Sequence, residues 1–210
     1  MTAPLDPIQA QLIVARRLQI LDAATHVFAA KGFHRATIHD VATTAHVADG
    51  TIYNYFANKT ELLLGLLDRL NESDQREAQF TIGVATSFEE FFSTYLRARM
   101  TLLWANSEVL QAILPEVLAN SEVREQYFQR VIAPTLHIGE TYFQSLLDQD
   151  QIQPIDITLA VRVLAGSLLG LLIIQLLGDQ ELSNRWQELP EIMTSILLHG
   201  LLPTSNPPTR

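Results

Sequence analysis

The stretch His34–Glu61, HRATIHDVATTAHVADGTIYNYFANKTE, decides how this chain is read. It opens on Thr37 with Asp40 three residues on, a capping-box variant in which the hydroxyl takes an orphan backbone amide and the carboxylate favours the positive helix end. Ile38, Val41, Ala42 and Ala45 then share one inward face, and only about two helical turns fit before His46. From Val47 a third helix offers Val47, Ile52 and Phe56 inward, which leaves Gly50, Thr51, Tyr53, Asn54 and Tyr55 mostly outward. Asn58 caps a fourth helix, with Glu61 at the reciprocal position. Two tyrosines beside a core aromatic in so short a helix cannot all point inward. Together with Thr51 and Asn54 they form a surface suited to phosphates and base edges, so the segment from Asp49 to Phe56 is expected to read DNA.

The neighbouring sequence is helical in the same way. Upstream, Ile20, Leu21, Ala24, Val27 and Phe28 make one apolar stripe, which predicts a helix from about Gln11 to Lys31. Gly32 can end it in the left-handed conformation, with Phe33 packing back on Phe28. Downstream, Leu62, Leu63, Leu66, Leu67 and Leu70 continue the fourth helix. Ser87 with Glu90 opens a helix that runs through Trp104; Asn106 and Ser107 open a short one that Pro115 interrupts. Ser121 starts a longer helix that Pro134 should kink or split. The segment DQDQIQ reads as a loop, Asp156 caps an apolar helix ending at Gly178, and a last helix runs from about Pro190 to Leu201. The tail PTSNPPTR has too little to bury and should be mobile. No stretch alternates with period two for long enough to argue a strand. The expected fold is all-α with about nine helices.

Composition narrows the function. With 210 residues, nearly half of them apolar, the chain can bury a sizeable core. It has no cysteine, so no disulfide framework or thiolate metal site is available. The start MTAPLDPIQAQLIVARR lacks the basic, apolar and cleavage regions of a secretory signal, which points to the cytoplasm. The run Val163–Leu177 has 15 residues, fewer than the roughly 18 to 20 that a membrane span needs, so no membrane partner is expected. The net charge of −9 is unevenly spread. Residues 1–60 carry five basic against four acidic side chains, and the remainder nine against nineteen, so only the N-terminal end can approach phosphates.

The run ILDAATHVFAAKGFHRATIHDVATTAHVADGTIYNYFANKTELLLGLL, from Ile20 to Leu67, resembles the N-terminal domain of the TetR family of transcriptional regulators, without gaps. The matching features are the KGF helix end, the T-I-x-D-V-A helix, the V-A-x-G-T-I-Y-x-Y-F recognition helix and the N-K-x-E-L start of the fourth. The resemblance implies a helix-turn-helix DNA-binding domain over residues 1–60 and an effector-binding and dimerisation domain over 61–202, with 203–210 as tail. It implies a ligand-responsive repressor, bound as a homodimer to a palindromic double-stranded DNA operator. Carried onto this chain, Thr37 resembles the phosphate contact at the start of the second helix. Gly50, Thr51, Tyr53 and Asn54 match positions facing bases or nearby backbone, and Tyr55 and Lys59 resemble the phosphate clamps. The chain departs from the family at two places. His46 stands where a turn glycine is common and must tolerate a left-handed conformation or a different turn. Asp49 sets a carboxylate at the start of the recognition helix, repelled by phosphate yet able to accept from a cytosine amino group.

The same architecture implies a pocket among the middle helices and pairing through the last two. Phe91, Tyr95, Arg99, Trp104, Tyr127, His137 and Tyr142 could line an aromatic, partly polar cavity for a small, mostly apolar effector; as plain core they would show the same spacing. Gly166 and Gly170, four apart, would let a partner helix approach, and Leu197 lies on the last helix of the same expected interface. No cofactor is implied. The six histidines show no HExxH or other ligand spacing, and no G-x-S-x-G or phosphate loop occurs, so neither an enzyme nor a metal site is expected. The alternative is a helical effector-binding protein that lacks sequence-specific DNA binding.

Overall fold

A computed structural model describes residues 6–72, 75–76, 78–80 and 87–201. Among these every regular element is helical, so the expected all-α class is what the chain adopts. The helices are α1 (Pro7–Lys31), α2 (Ile38–Thr44), α3 (Asp49–Tyr53), α4 (Lys59–Asn71), α5 (Phe88–Ala105), α6 (Ser107–Ala119), α7 (Ser121–Tyr127), α8 (Ala133–Asp148), α9 (Ile157–Leu176), α10 (Gln180–Asn184) and α11 (Leu189–Leu201). A π-helical turn, Phe128–Ile132, joins α7 to α8, and a 3-10 turn, Trp186–Glu188, precedes α11. The proposed tail, 203–210, lies outside the described residues.

The chain forms two compact units. One comprises residues 1–71 with 108–128, and the other residues 72–107 with 129–210. The chain therefore crosses between them three times.

In the first unit the core is Ile20, Ala24 and Phe28 of α1, Val41 of α2, Ile52 of α3, Phe56, and Leu62, Leu63, Leu66 and Leu67 of α4, all nearly inaccessible. Helix α1 starts four residues earlier than its apolar stripe suggests. Asp6 caps it, accepting from the Ile8 amide at 3.3 Å, and Pro7 takes the first position, where its missing N–H costs nothing. The N-terminal half of α1 leaves Ile8, Leu12, Ile13, Val14 and Leu18 exposed. Gly32 ends α1 with φ 73° but ψ 158°, a glycine-tolerated extended conformation rather than the left-handed helical one; Phe33 still packs edge-on to Phe28 at 5.4 Å.

Gly65 lies in the middle of α4, within LLLGLL, and its reason is steric. A Cβ there would stand 2.7 Å from Cε1 of Phe56 and 3.2 Å from the Arg17 guanidinium, which itself stacks on the Phe56 ring at 4.5 Å. Phe56 is boxed and cannot yield. Gly65→Ala gains about 1 kcal/mol of helix propensity but forces overpacking worth about 1–3 kcal/mol. A net loss of up to about 2 kcal/mol in denaturant unfolding is expected, and a variant more stable than the parent would contradict this packing.

Helix α6 runs unbroken through Pro115, contrary to the expected interruption. One ladder hydrogen bond is forfeited there, and the buried face of Val109, Leu110, Ile113 and Val117 outweighs it. Helix α7 starts at Ser121 as expected, capped by Asn120, which accepts from the Glu122 and Val123 amides. Pro134 does divide the next stretch: the π-helical turn precedes it and the proline sits in the first turn of α8.

The second unit packs α5, α8, α9 and α11 around Phe88, Phe91, Phe92, Leu96, Met100, Leu136, Tyr142, Phe143 and Leu146. Buried Trp186 closes it, donating to the Met100 carbonyl at 2.9 Å. The short α10 was not anticipated; Asp179 caps it, accepting from the Leu182 amide at 2.8 Å. Helix α9 exceeds the 15-residue apolar run. At 20 residues it is long and apolar enough to cross a membrane by length and composition. It carries two apolar stripes. Val161, Leu164, Leu168 and Leu171 face the unit's own core and Leu172 is buried, whereas Leu159, Val163, Gly166, Ile173 and, just past the helix end, Leu177 are exposed.

Candidate DNA-reading face and effector site

Helix α3 is a single short turn whose orientation is fixed by Ile52 and Phe56, 0% and 3% exposed. The consequence is geometric: Gly50, Tyr53 and Asn54 are exposed and Thr51 and Tyr55 half-buried, with Tyr53 at 54%. The helix ends at Tyr53, because Asn54 closes it with bonds to the Thr51 and Ile52 carbonyls. The preceding turn depends on His46, which does adopt φ 53°, the left-handed region expected of it. Gln19 of α1 braces this turn by donating to the Ala45 carbonyl at 2.7 Å.

Thr37 is exposed at the head of α2. Its hydroxyl accepts from the Asp40 amide at 3.1 Å, which leaves its proton to donate outward. Asp40 returns the bond, accepting from the Thr37 amide at 2.9 Å, and pairs with Lys31 at 2.7 Å. The Lys31 contact, followed by the Thr37 bonds, holds the Asp40 carboxyl down at about 2. The stabilisation from this group is thus complete above the ordinary carboxylate range and is lost progressively as pH falls from there through about 2.

Two pairings were not foreseen. Asp49 is engaged by His39 of α2, whose Nδ1 lies 3.0 Å and 3.2 Å from the two carboxylate oxygens and so carries the proton between them. That bond ties α2 to α3 and engages the carboxylate that leads the DNA-reading helix. Glu116 of α6 is a buried carboxylate, 7% exposed, that accepts from His34 Nε2 at 2.9 Å and from the Asn120 amide group at 2.9 Å. Lys59, at the start of α4, lies over the Phe33 ring at 4.3 Å and donates to the His34 carbonyl at 3.4 Å. Burial lowers the affinity of its amine for a proton, and the charge of Glu116 partly restores it. The only sequence signal for Glu116 is a lone acid within the apolar run of α6.

The expected effector-site residues are placed differently from one another. Phe91, Tyr95 and Arg99 share one face of α5 at four-residue spacing, and Tyr142 of α8 packs on Phe91 at 4.8 Å. Phe80 joins them, with ring centroids 5.0–5.3 Å from Tyr95, Tyr142 and Phe91. Arg99 is buried and donates to Glu72 at 2.6 Å. Trp104 is 39% exposed beside Trp186, His137 is exposed, and Tyr127 belongs to the other compact unit. Gly166 is exposed and Gly170 half-exposed, and a Cβ on either would meet nothing within 4 Å. Leu197 packs half-buried against the core of its own unit. Among the described residues no group of three or more His, Cys, Asp or Glu is arranged to hold a metal ion.

Comparison with known proteins agrees with this geometry. Residues 20–66 match the family described as bacterial regulatory proteins, tetR family. The fatty acid metabolism regulator protein of Bacillus subtilis is 26% identical over 173 residues, 78% of this chain and 85% of that protein. The fatty acid degradation regulator FadR of Bacillus halodurans superposes with a TM-score of 0.72 at 26% identity, over 87% of this chain and 97% of its own. The Bacillus subtilis regulator FadR in complex with stearoyl-CoA gives 0.66 at 27% identity, over 82% and 96%.

Proposed function

Because this chain belongs to the TetR family of transcriptional regulators, a DNA-binding and non-enzymatic family, we propose that it is a cytoplasmic, ligand-responsive repressor binding a palindromic operator as a homodimer. The observation that carries this reading is the face of α3, where Gly50, Tyr53 and Asn54 stand outward from a helix anchored by Ile52 and Phe56. Gly50 allows close approach to the groove floor, Asn54 can pair with adenine, and Thr51 can offer a methyl to thymine. Thr37, Tyr55 and Lys59 supply phosphate contacts around that face. Two copies of α3 would then read half-sites one helical turn of DNA apart, or a multiple of it.

The second copy is supplied through α9. Its outward stripe, Leu159, Val163, Gly166, Gly170, Ile173 and Leu177, repeats at alternating four- and three-residue spacing, the pattern of a helix that packs against another helix. Pairing there gives the exposed apolar side chains a burial surface, and the two glycines let the backbones approach.

The effector we infer is a long-chain acyl compound. Two relatives with fatty-acid regulatory names align over most of the chain, one of them bound to stearoyl-CoA, and the second unit holds an aromatic cluster compatible with an apolar chain. Binding would be felt in the DNA-reading unit through the three chain crossings, provided the ligand favours one arrangement over another. Mobility shift on the DNA upstream of the chain's own coding sequence tests this. Saturating stearoyl-CoA is expected to weaken binding by about tenfold or more, within the usual range of allosteric coupling. Calorimetric binding of stearoyl-CoA that leaves operator affinity unchanged would sink the effector assignment.

A further inference from the structure

Tyr142 is 3% exposed, and its hydroxyl has no hydrogen-bond partner among the described residues. Buried tyrosine hydroxyls ordinarily find one, and a phenylalanine would fill the same space without desolvating an oxygen. The ring is fully used in packing, against Phe91 at 4.8 Å, Phe80 at 5.1 Å and Phe143 at 5.9 Å. The hydroxyl is the part that the fold leaves without a purpose.

Its surroundings define what would satisfy it. Phe80 and Tyr95 are half-buried, so the aromatic cluster reaches the surface of its unit on that side while Phe91 and Tyr142 lie deep. Phe80 packs on the three other rings at the half-buried rim of the cluster. The cation on the same face of α5, Arg99, is already committed to Glu72. Burial pushes the phenol up to about 12, so near neutral pH the hydroxyl keeps its proton and acts as a donor.

On the reading of the effector as an acyl compound, we propose that Tyr142 donates a hydrogen bond to the carbonyl oxygen of an acyl thioester whose alkyl chain lies among Phe80, Phe91 and Tyr95. The site selects the neutral thioester over the free fatty acid. A carboxylate brought to the same place would be desolvated with its nearest cation on that helix face already paired, whereas a thioester carbonyl needs one neutral donor.

The test is calorimetric titration of the full chain with stearoyl-CoA, with stearate and with the octadecyl thioether of CoA, which lacks the carbonyl, all below their micelle-forming concentrations. The parent chain is expected to bind stearoyl-CoA about tenfold more tightly than either of the others. Tyr142→Phe should lose about tenfold for stearoyl-CoA and almost nothing for the thioether, while melting no lower than the parent. Equal affinity of parent and variant for stearoyl-CoA, or equal affinity of the parent for thioester and thioether, would overturn the role of Tyr142 and leave the acyl effector standing. Failure of the parent to bind stearoyl-CoA would overturn both. Normal binding with the Tyr142 signature but without operator release would remove the regulatory reading and keep the site.

Discussion

Val163→Glu combined with Ile173→Glu is expected to yield a folded monomer whose operator affinity is lower by about a hundredfold or more. Both side chains are exposed in the protomer, 63% and 40%, and neither is part of the core that α9 shares with α5 and α8. Charge at these positions therefore costs the isolated fold little. In a dimer the same positions would be buried against a second α9, and four carboxylates per pair would meet without partners. Desolvating even one unpaired charge costs several kcal/mol, enough to dissociate an interface of ordinary strength. Operator affinity falls with it because each dimer presents two heads. Once one head is bound, the second binds at high effective concentration, an advantage of about a hundredfold to ten-thousandfold that a monomer lacks. Sedimentation velocity reads the first effect and mobility shift the second. A variant that stays dimeric would place the interface elsewhere.

The reading of α9 shows where sequence was sufficient and where it was not. A helix apolar all round needs more than one burial surface; in the structure one stripe is packed and the other exposed, and the second surface is left to the proposed partner. Local signals transferred well for the same reason. The caps at Thr37, Asn58, Ser87 and Asp156 each accept from a backbone amide three residues on, a contact decided within one turn of chain. Pro115 did not transfer, because whether a helix bears an internal proline depends on what its buried face gains. Gly65 was silent because its meaning lies in the Phe56 ring, nine residues away and boxed by Arg17.

The candidate site divides along the same line. The outward face of α3 could be read from the spacing of Ile52 and Phe56 alone. Its electrostatics could not, since Asp49 is answered by His39 from another helix, and Glu116 meets His34 across 82 positions of sequence. For the effector site, four-residue spacing placed Phe91, Tyr95 and Arg99 on one face of α5. The same aromatic logic had no means of separating Tyr142, 3% exposed, from Trp104, 39% exposed.

The largest effect on DNA is expected from Tyr53→Ala with Lys59→Ala. Tyr53 is exposed, and Lys59 contributes a ring contact, one long hydrogen bond and a charge felt by Glu116, which keeps His34 and Asn120 as partners, so the fold should tolerate both changes. Lost phosphate and groove contacts, doubled by two-fold symmetry, should reduce affinity about a hundredfold or more. Each lysine removed from a phosphate also lowers the salt slope by about one, or two per dimer. The most direct test of the account is therefore a mobility shift on the chain's own upstream DNA across a salt series, with the parent and this double variant side by side. The account predicts tight binding by the parent at low salt, a linear fall of log K with log salt, and a double variant with both weaker binding and a shallower slope. Absence of binding by the parent at low salt, or identical binding by the two proteins, would contradict it.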